Sequence, residues 1–187
     1  MNTKAVVIIA VMLSVTVCTT RRGAQPIINS VGDAPDPVEM PDYNNVTANI
    51  TNATSAYVEI YYPNTTLEGN HTMAQNSTGI WYYNGSYSYP DPLGLYNYTV
   101  KAHNSTGWVT SSISNFTLQD TTDPDSSVDT LSSYWYTSDA GITVTASDSY
   151  AVSNVSLWYR YSSDNSSWGA WTFFGKDVSP SYSFSFT

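Results

Sequence analysis

The sequence predicts an all-β chain of two β-sandwiches in tandem, the second of them truncated, and three observations lead there. Short stretches alternate apolar and polar residues with a period of two, bounded by Pro, Gly, Asn and Asp, and none carries a 3.6-residue apolar stripe. The polar residues are Ser, Thr and Asn rather than Lys and Glu: 27 Ser, 23 Thr and 15 Asn accompany only 11% charged residues, a bias toward strands and turns over helices. The pattern also repeats, with Val46 and Val144 standing 98 residues apart in matching positions.

At the N-terminus, Met1 to Lys4 is a short basic start, Ala5 to Val17 is mostly apolar, and Cys18 to Gln25 is small and polar around Arg21 and Arg22. This reads as a secretory signal peptide over residues 1–25, its apolar run being shorter than the roughly 20 residues a spanning helix needs. Cys18 is the only cysteine and leaves with that leader, so the exported chain has no disulfide and relies on burial and β hydrogen bonding. Its cations reduce to Lys101, Arg160 and Lys176 against all 15 Asp and Glu.

The first unit, residues 26–119, follows. Val46, Ala48 and Ile50 alternate with Thr47, Asn49 and Thr51, and Val58, Ile60 and Tyr62 alternate with Tyr57, Glu59 and Tyr61, giving two strands with one buried face each. After a Pro and Gly turn at Pro90 to Gly94, Tyr96, Tyr98, Val100 and Ala102 form a third such face, and Phe116 and Leu118 close the unit. Gln119 to Asp125 has the Pro and polar content of an inter-domain linker. The second unit, residues 120–187, repeats the plan with Ile142, Val144 and Ala146, then Val155, Leu157 and Tyr159, and stops inside the alternating run Tyr182 to Thr187. A period near 100 residues fits an immunoglobulin-type sandwich, and a sandwich cut at Thr187 would lack its last strands, so the chain is expected to be a fragment or to receive them from elsewhere.

Several segments support a resemblance. Ile142-Thr143-Val144-Thr145-Ala146-Ser147-Asp148, the run Val152 to Ser162, Asp164-Asn165-Ser166-Ser167-Trp168 and the Asp120 to Pro124 linker look like the Ig-like or fibronectin type III-like repeats of archaeal secreted cell-surface proteins, of S-layer or adhesin type. Gly94 to Ala102 resembles the strand after a tyrosine corner in fibronectin type III domains, with Tyr96 as the corner residue. The resemblance implies fold and location more than activity.

Asn-X-Ser/Thr sequons begin at Asn45, Asn49, Asn52, Asn64, Asn70, Asn76, Asn84, Asn97, Asn104, Asn115, Asn154 and Asn165. That is 12 of 15 Asn, where a Ser and Thr share of 50 in 187 residues would place about 4. Heavy N-glycosylation is the expected reason, with glycans supplying the hydration that charged residues usually provide; a polar strand face explains a few cases such as Asn97.

A net charge of -9 argues against phosphate-backbone binding, so no nucleic-acid partner is expected. The catalytic parts are also few. His71, in a sequon-rich loop, and His103, at a strand end, are the only histidines, and no nucleophile elbow, zinc-protease helix or phosphate cradle is present. Asp120, Asp123 and Asp125 read as turn residues, with calcium at the inter-domain linker as the lesser reading; no other cofactor is expected. Among clustered aromatics, Trp168 and Trp171 are the candidate carbohydrate contacts. The sequence thus points to a secreted, glycosylated cell-surface module with a structural, spacer or adhesion role, and not to an enzyme. Its expected partners are other surface proteins or glycans, and it meets a membrane only through the leader or an anchor outside this chain. The alternative is a carbohydrate-binding accessory region of a larger secreted enzyme.

Overall fold

The alternating segments become strands. The computed structural model describes residues 23–131 and 138–186, so the expected leader lies outside the described residues except for its last three. In chain order the strands are β1 (Ile27–Ala34), β2 (Val38–Glu39), β3 (Asp42–Thr51), β4 (Ser55–Tyr61) and β5 (Leu67–Thr72). Next come β6 (Ala74–Gln75), β7 (Ile80–Tyr87), β8 (Gly94–Asn104), β9 (Gly107–Thr110) and β10 (Ser114–Gln119). Beyond Pro124 lie β11 (Asp125–Val128), β12 (Ala140–Ser147), β13 (Val155–Tyr159), β14 (Thr172–Asp177) and β15 (Ser183–Phe186). The described residues contain no helix.

The first ten strands form two sheets. One has the order β1-β3-β7-β6; the other runs β2-β10-β8-β4-β5, with β9 also paired to β8. Lettered by their places in the fold, these are A-B-E-D against G-F-C-C′, the arrangement of an immunoglobulin-like sandwich, with β2 added as a parallel partner of β10. Strands β9 and β10 are two pieces of one edge. β9 pairs with Lys101 to Asn104 of β8 and β10 with Gly94 to Tyr98, while Ser111 between them exchanges hydrogen bonds with Val100.

The core lies between these sheets and follows the alternation. Val46, Ala48 and Ile50 of β3 face Ala56, Val58 and Ile60 of β4 and Tyr96, Tyr98, Val100 and Ala102 of β8, all buried. Tyr96 stacks on Phe116 with ring centroids 5.2 Å apart, and Tyr87 meets both rings edge-on or tilted. The Tyr96 hydroxyl donates to the Pro92 carbonyl at 2.9 Å, which makes it a tyrosine corner. Gly94 opens β8 with φ of 131°, a conformation in which a side chain would be strained and its Cβ would lie 3.1 Å from the Pro63 ring.

The remaining strands form a three-stranded sheet, β11-β12-β15, and a two-stranded one, β13-β14. In the same lettering these are A-B-E and C-C′. Val144, Tyr182 and Phe184 are the buried residues of this second cluster, with Ile142, Leu157 and Phe174 partly buried against it. The run Tyr182 to Phe186 does not hang free: β15 pairs with β12, from Ala140 against Phe186 to Thr143 against Ser183. Of the expected linker, Gln119 closes β10 and Asp125 opens β11, so only residues 120–124 lie between strands. The carboxylate of Glu39 accepts hydrogen bonds from the Thr121 amide and hydroxyl, and Asp120 Oδ1 accepts one from Ser149 Oγ at 2.8 Å.

Candidate functional site

The outer face of the six-stranded sheet carries a surface groove in which charged, polar and aromatic side chains meet. Antiparallel register sets its rows: Tyr57 of β4 lies opposite Lys101 of β8 and Thr72 of β5, and Lys101 lies opposite Thr110 of β9. In the next row Glu59 lies opposite Asn70 and Thr99, and in the row on the other side His103 lies opposite Ser55 and Trp108. All of these are outward positions of the alternation that buries Val58, Val100 and Ala102 beneath them.

These side chains enclose a groove of about 320 Å³ lined by Tyr57, Glu59, Asn70, Lys101, Trp108 and Thr110. Its floor is an ion pair, Lys101 Nζ to a Glu59 carboxylate oxygen, which also gives the sheet one of its few cations a partner. The other Glu59 oxygen accepts a hydrogen bond from Tyr61 Oη at 3.2 Å. Aromatic rings form the wall. Trp108 is 55% exposed; its ring lies 4.5 Å from that of His103 and 5.7 Å from that of Tyr57. With His103 against it and half its surface in water, Trp108 offers an apolar ring face beside polar groups, the combination that recognises small polar ligands with apolar faces.

The residues expected from sequence are distributed differently. Trp168 and Trp171 lie in the connection between β13 and β14, not on a strand, at 48% and 61% exposure. The guanidinium carbon of Arg160 sits 4.9 Å from one ring centre and 5.0 Å from the other, so a cation already occupies a face of each. His71 lies on β5 rather than in a loop, because its segment pairs with β4, Val58 opposite His71. There its ring stacks on Tyr83 at 4.4 Å and its Nε2 meets Glu68 Oε2 at 2.7 Å.

Among the sequons, Asn45, Asn49, Asn52, Asn64, Asn70, Asn76, Asn84, Asn115, Asn154 and Asn165 are exposed, and Asn97 is half-buried. Asn104 is placed differently from the other sequon residues. It is buried, its Nδ2 donates to the carbonyls of Ala24 and Asn52, and its Oδ1 accepts from the amide and hydroxyl of Thr106. Both hydrogens of the nitrogen that would carry a sugar are engaged here, one of them by Ala24 of the expected leader. The same Asn-to-Thr contact recurs in two other turns: Asn64 Oδ1 accepts from Thr66, and Asn76 Oδ1 from Thr78. There Asn-X-Thr builds the turn, since a short amide side chain caps the backbone two residues on.

The acidic linker does not gather as a metal site. Among the described residues no group of three or more His, Cys, Asp or Glu side chains comes together for one. Asp120 is engaged by the Ser149 hydroxyl, which holds its carboxyl below the usual carboxylate range. The Thr121 amide does the same for Glu39.

Trp108, Tyr57 and Lys101 were not singled out in sequence. The available signal was their outward position in alternating segments; what brings them together is the β4-β8-β9 pairing, which joins residues far apart in the chain.

No protein-family model and no curated protein matches this chain. Among solved structures it is similar to a tetra-tandem repeat in the extending region of a large adhesion protein, at 18% identity and a TM-score of 0.42. That likeness covers 83% of this chain, which spans 39% of the other. A second likeness, to a Dpr2 Ig1-Ig2 pair in complex with DIP-Theta Ig1-Ig3, has 13% identity and a TM-score of 0.33 over 73% of this chain and 69% of that one. The class of protein, an all-β chain of immunoglobulin-like sandwich type, rests on strand order and register.

Proposed function

We propose that the chain is a secreted, N-glycosylated cell-surface module with a spacer or adhesion role, in which residues 26–119 and 120–187 act as two domains. One observation carries this reading: the chain enters and leaves the first sandwich at opposite poles. Ile27 opens β1 opposite Thr51, next to Asn52, whose carbonyl Asn104 holds at one end of β8, while Gln119 closes β10 near Gly94 at the other end. The eleven residues of β8 put about 33 Å between them at roughly 3.3 Å per residue. A unit crossed lengthwise by its own chain extends whatever it is spliced into.

The geometry also suits load. β2 runs parallel to β10, so tension drawn from the two ends slides these strands past each other and loads their hydrogen bonds together rather than one at a time. A glycosylated, acidic surface would keep such a module hydrated and apart from its neighbours. Partners would be other cell-surface proteins or glycans, in the kind of envelope assembly that its repeat motifs resemble.

Intact and peptide masses of the protein from its source, before and after glycan removal, test the reading. Leader cleavage and occupied sequons are the expected result; a bare, unprocessed chain would overturn it. A second reading, a carbohydrate-binding region of a larger secreted enzyme, draws on the half-exposed Trp168 and Trp171. A glycan array on which the chain binds, and loses binding in Trp168→Ala and Trp171→Ala, would favour that reading instead.

A further inference from the structure

We propose that the groove of Tyr57, Glu59, Lys101 and Trp108 is a seat for the protein's own glycan, carried on Asn70. The inference rests on the glycosylated reading above and goes further, naming which sequon has a built site and what the site holds.

Asn70 is a sequon residue, Asn70-His71-Thr72, and it lines the groove. It is exposed and stands at the open end of the row in which Glu59 and Thr99 follow. Contrast Asn104, whose amide nitrogen is consumed by two carbonyls. Asn45 and Asn84, directly opposite each other on the other sheet, share their outer face with no tryptophan, since Trp81 on β7 is buried.

The distances follow from the sheet. Strands lie about 4.8 Å apart and residues about 3.3 Å along them, so Glu59 on β4 is one spacing from Asn70 on β5, Tyr57 is its diagonal neighbour, and Trp108 on β9, three strands across and four residues along, is roughly 20 Å away. The first sugar therefore lies over Glu59 and against Tyr57, and a later sugar reaches Trp108. Hexose rings present hydroxyls at the rim and C–H groups on the face. The Glu59 and Lys101 pair can accept from and donate to the hydroxyls, while the rings take the C–H faces. A volume of about 320 Å³ is at the small end for a ligand site and takes the inner part of a short glycan, whose outer sugars lie along the groove toward Trp108. Covering Trp108, more than half exposed without a glycan, removes apolar surface from water.

The test uses the full chain produced in its source or in a glycosylating host, as wild type, Asn70→Gln, Trp108→Ala and the double variant, with Asn49→Gln as a control sequon. Peptide mass spectrometry reads occupancy and thermal melting reads stability. Asn70 should be occupied, each single variant should lower Tm by roughly 2–4 °C, and the double variant should fall by clearly less than the sum of the two. Trp108 is exposed, so its replacement leaves the fold intact and the comparison readable. Additive losses with Asn70 occupied would overturn the proposal, because the glycan would not touch Trp108. An empty Asn70 with other sequons occupied would overturn it while leaving the glycosylated reading in place. If no sequon is occupied, both fall.

Discussion

The two halves of the chain follow one alternating pattern and reach different degrees of burial. In the first, 17 residues form a buried core between two sheets; in the second, Val144, Tyr182 and Phe184 are the buried members of their cluster. The contrast is sharpest between corresponding strands. β4 is flanked by β5 and β8, and Ala56, Val58 and Ile60 are fully buried. β13 pairs with β14 on one side, Val155 and Leu157 are half-buried, and Trp158 and Tyr159 are 52% and 37% exposed. Alternation decides which face of a strand is apolar. How many strands lie across from that face and beside it decides whether water is excluded.

Hydrogen exchange of the full chain should expose this difference most strongly. Opening free energies track buried contact, so amides of β3, β4 and β8 should exchange at least about 100-fold more slowly than those of β13 and β14. Equal protection would mean that the second half shares the stability of the first, and the comparison would fail.

Point substitutions measure the same gap in free energy. Ile60→Ala removes a fully buried side chain between packed sheets and should cost about 2–5 kcal/mol in the unfolding of the first sandwich. Leu157→Ala removes a half-buried one and should cost less than about 2 kcal/mol, because its site can collapse and part of its surface is already wet. Denaturant melts followed by residue-resolved probes in each half would check both; similar losses at the two positions would contradict the burial pattern.

Much of this was legible in the sequence, and the rest had physical reasons to be hidden. The inward sets Val46 to Ile50 and Tyr96 to Ala102 follow from period two alone, because successive side chains on a strand point to opposite faces. Tyr96 was legible as a corner through the resemblance of Gly94 to Ala102 to a fibronectin type III strand, and its hydroxyl does reach Pro92, four residues back. The groove was not, since Tyr57, Lys101 and Trp108 meet only once β4, β8 and β9 pair. The environment of Asn104 was hidden for another reason: an Asn-X-Thr string serves as a glycan acceptor and as a turn cap, and only the fold shows that Thr106, Ala24 and Asn52 bond its side chain. Trp168 and Trp171 were named from the sequence, but Arg160 over their rings was not, being a neighbour through folding.

Two tyrosine hydroxyls refine the comparison at smaller scale. Tyr96 donates to Pro92 O at 2.9 Å within the first core, and Tyr182 reaches Val152 O at 3.4 Å in the second cluster. Replacing each by Phe deletes one hydroxyl and little else. Tyr96→Phe should cost about 1 kcal/mol and Tyr182→Phe less than about 0.5 kcal/mol, the long contact being a weak hydrogen bond. Chemical denaturation resolves such differences, and a larger loss at Tyr182 would show that the second cluster depends on polar anchoring.

Acid should act most gently, and its sign is fixed by the direction of the shifts. Asp164, held low by the Ser167 and Ser166 amides, and Asp177, held low by the Ser179 and Ser183 amides, lie in turns of the second half. Glu39 and Asp120 are held low by Thr121 and Ser149 at the linker. A carboxyl whose folded pKa lies below its unfolded value binds protons more readily in the unfolded chain. Its contribution to stability is therefore complete above the ordinary carboxylate range, near pH 4, and drains away as pH falls through the lowered folded values. Asp164 is exposed and Glu39, Asp120 and Asp177 are only half-buried, so each contribution is small. Two of them brace turns beside sheets with little core behind them, which is where a small loss has the most effect. Between pH 4 and pH 2, exchange in β13, β14 and β15 should accelerate before that in β3 and β8. Acceleration of both halves together would place the acid-sensitive bonds in the first core instead of in these turns.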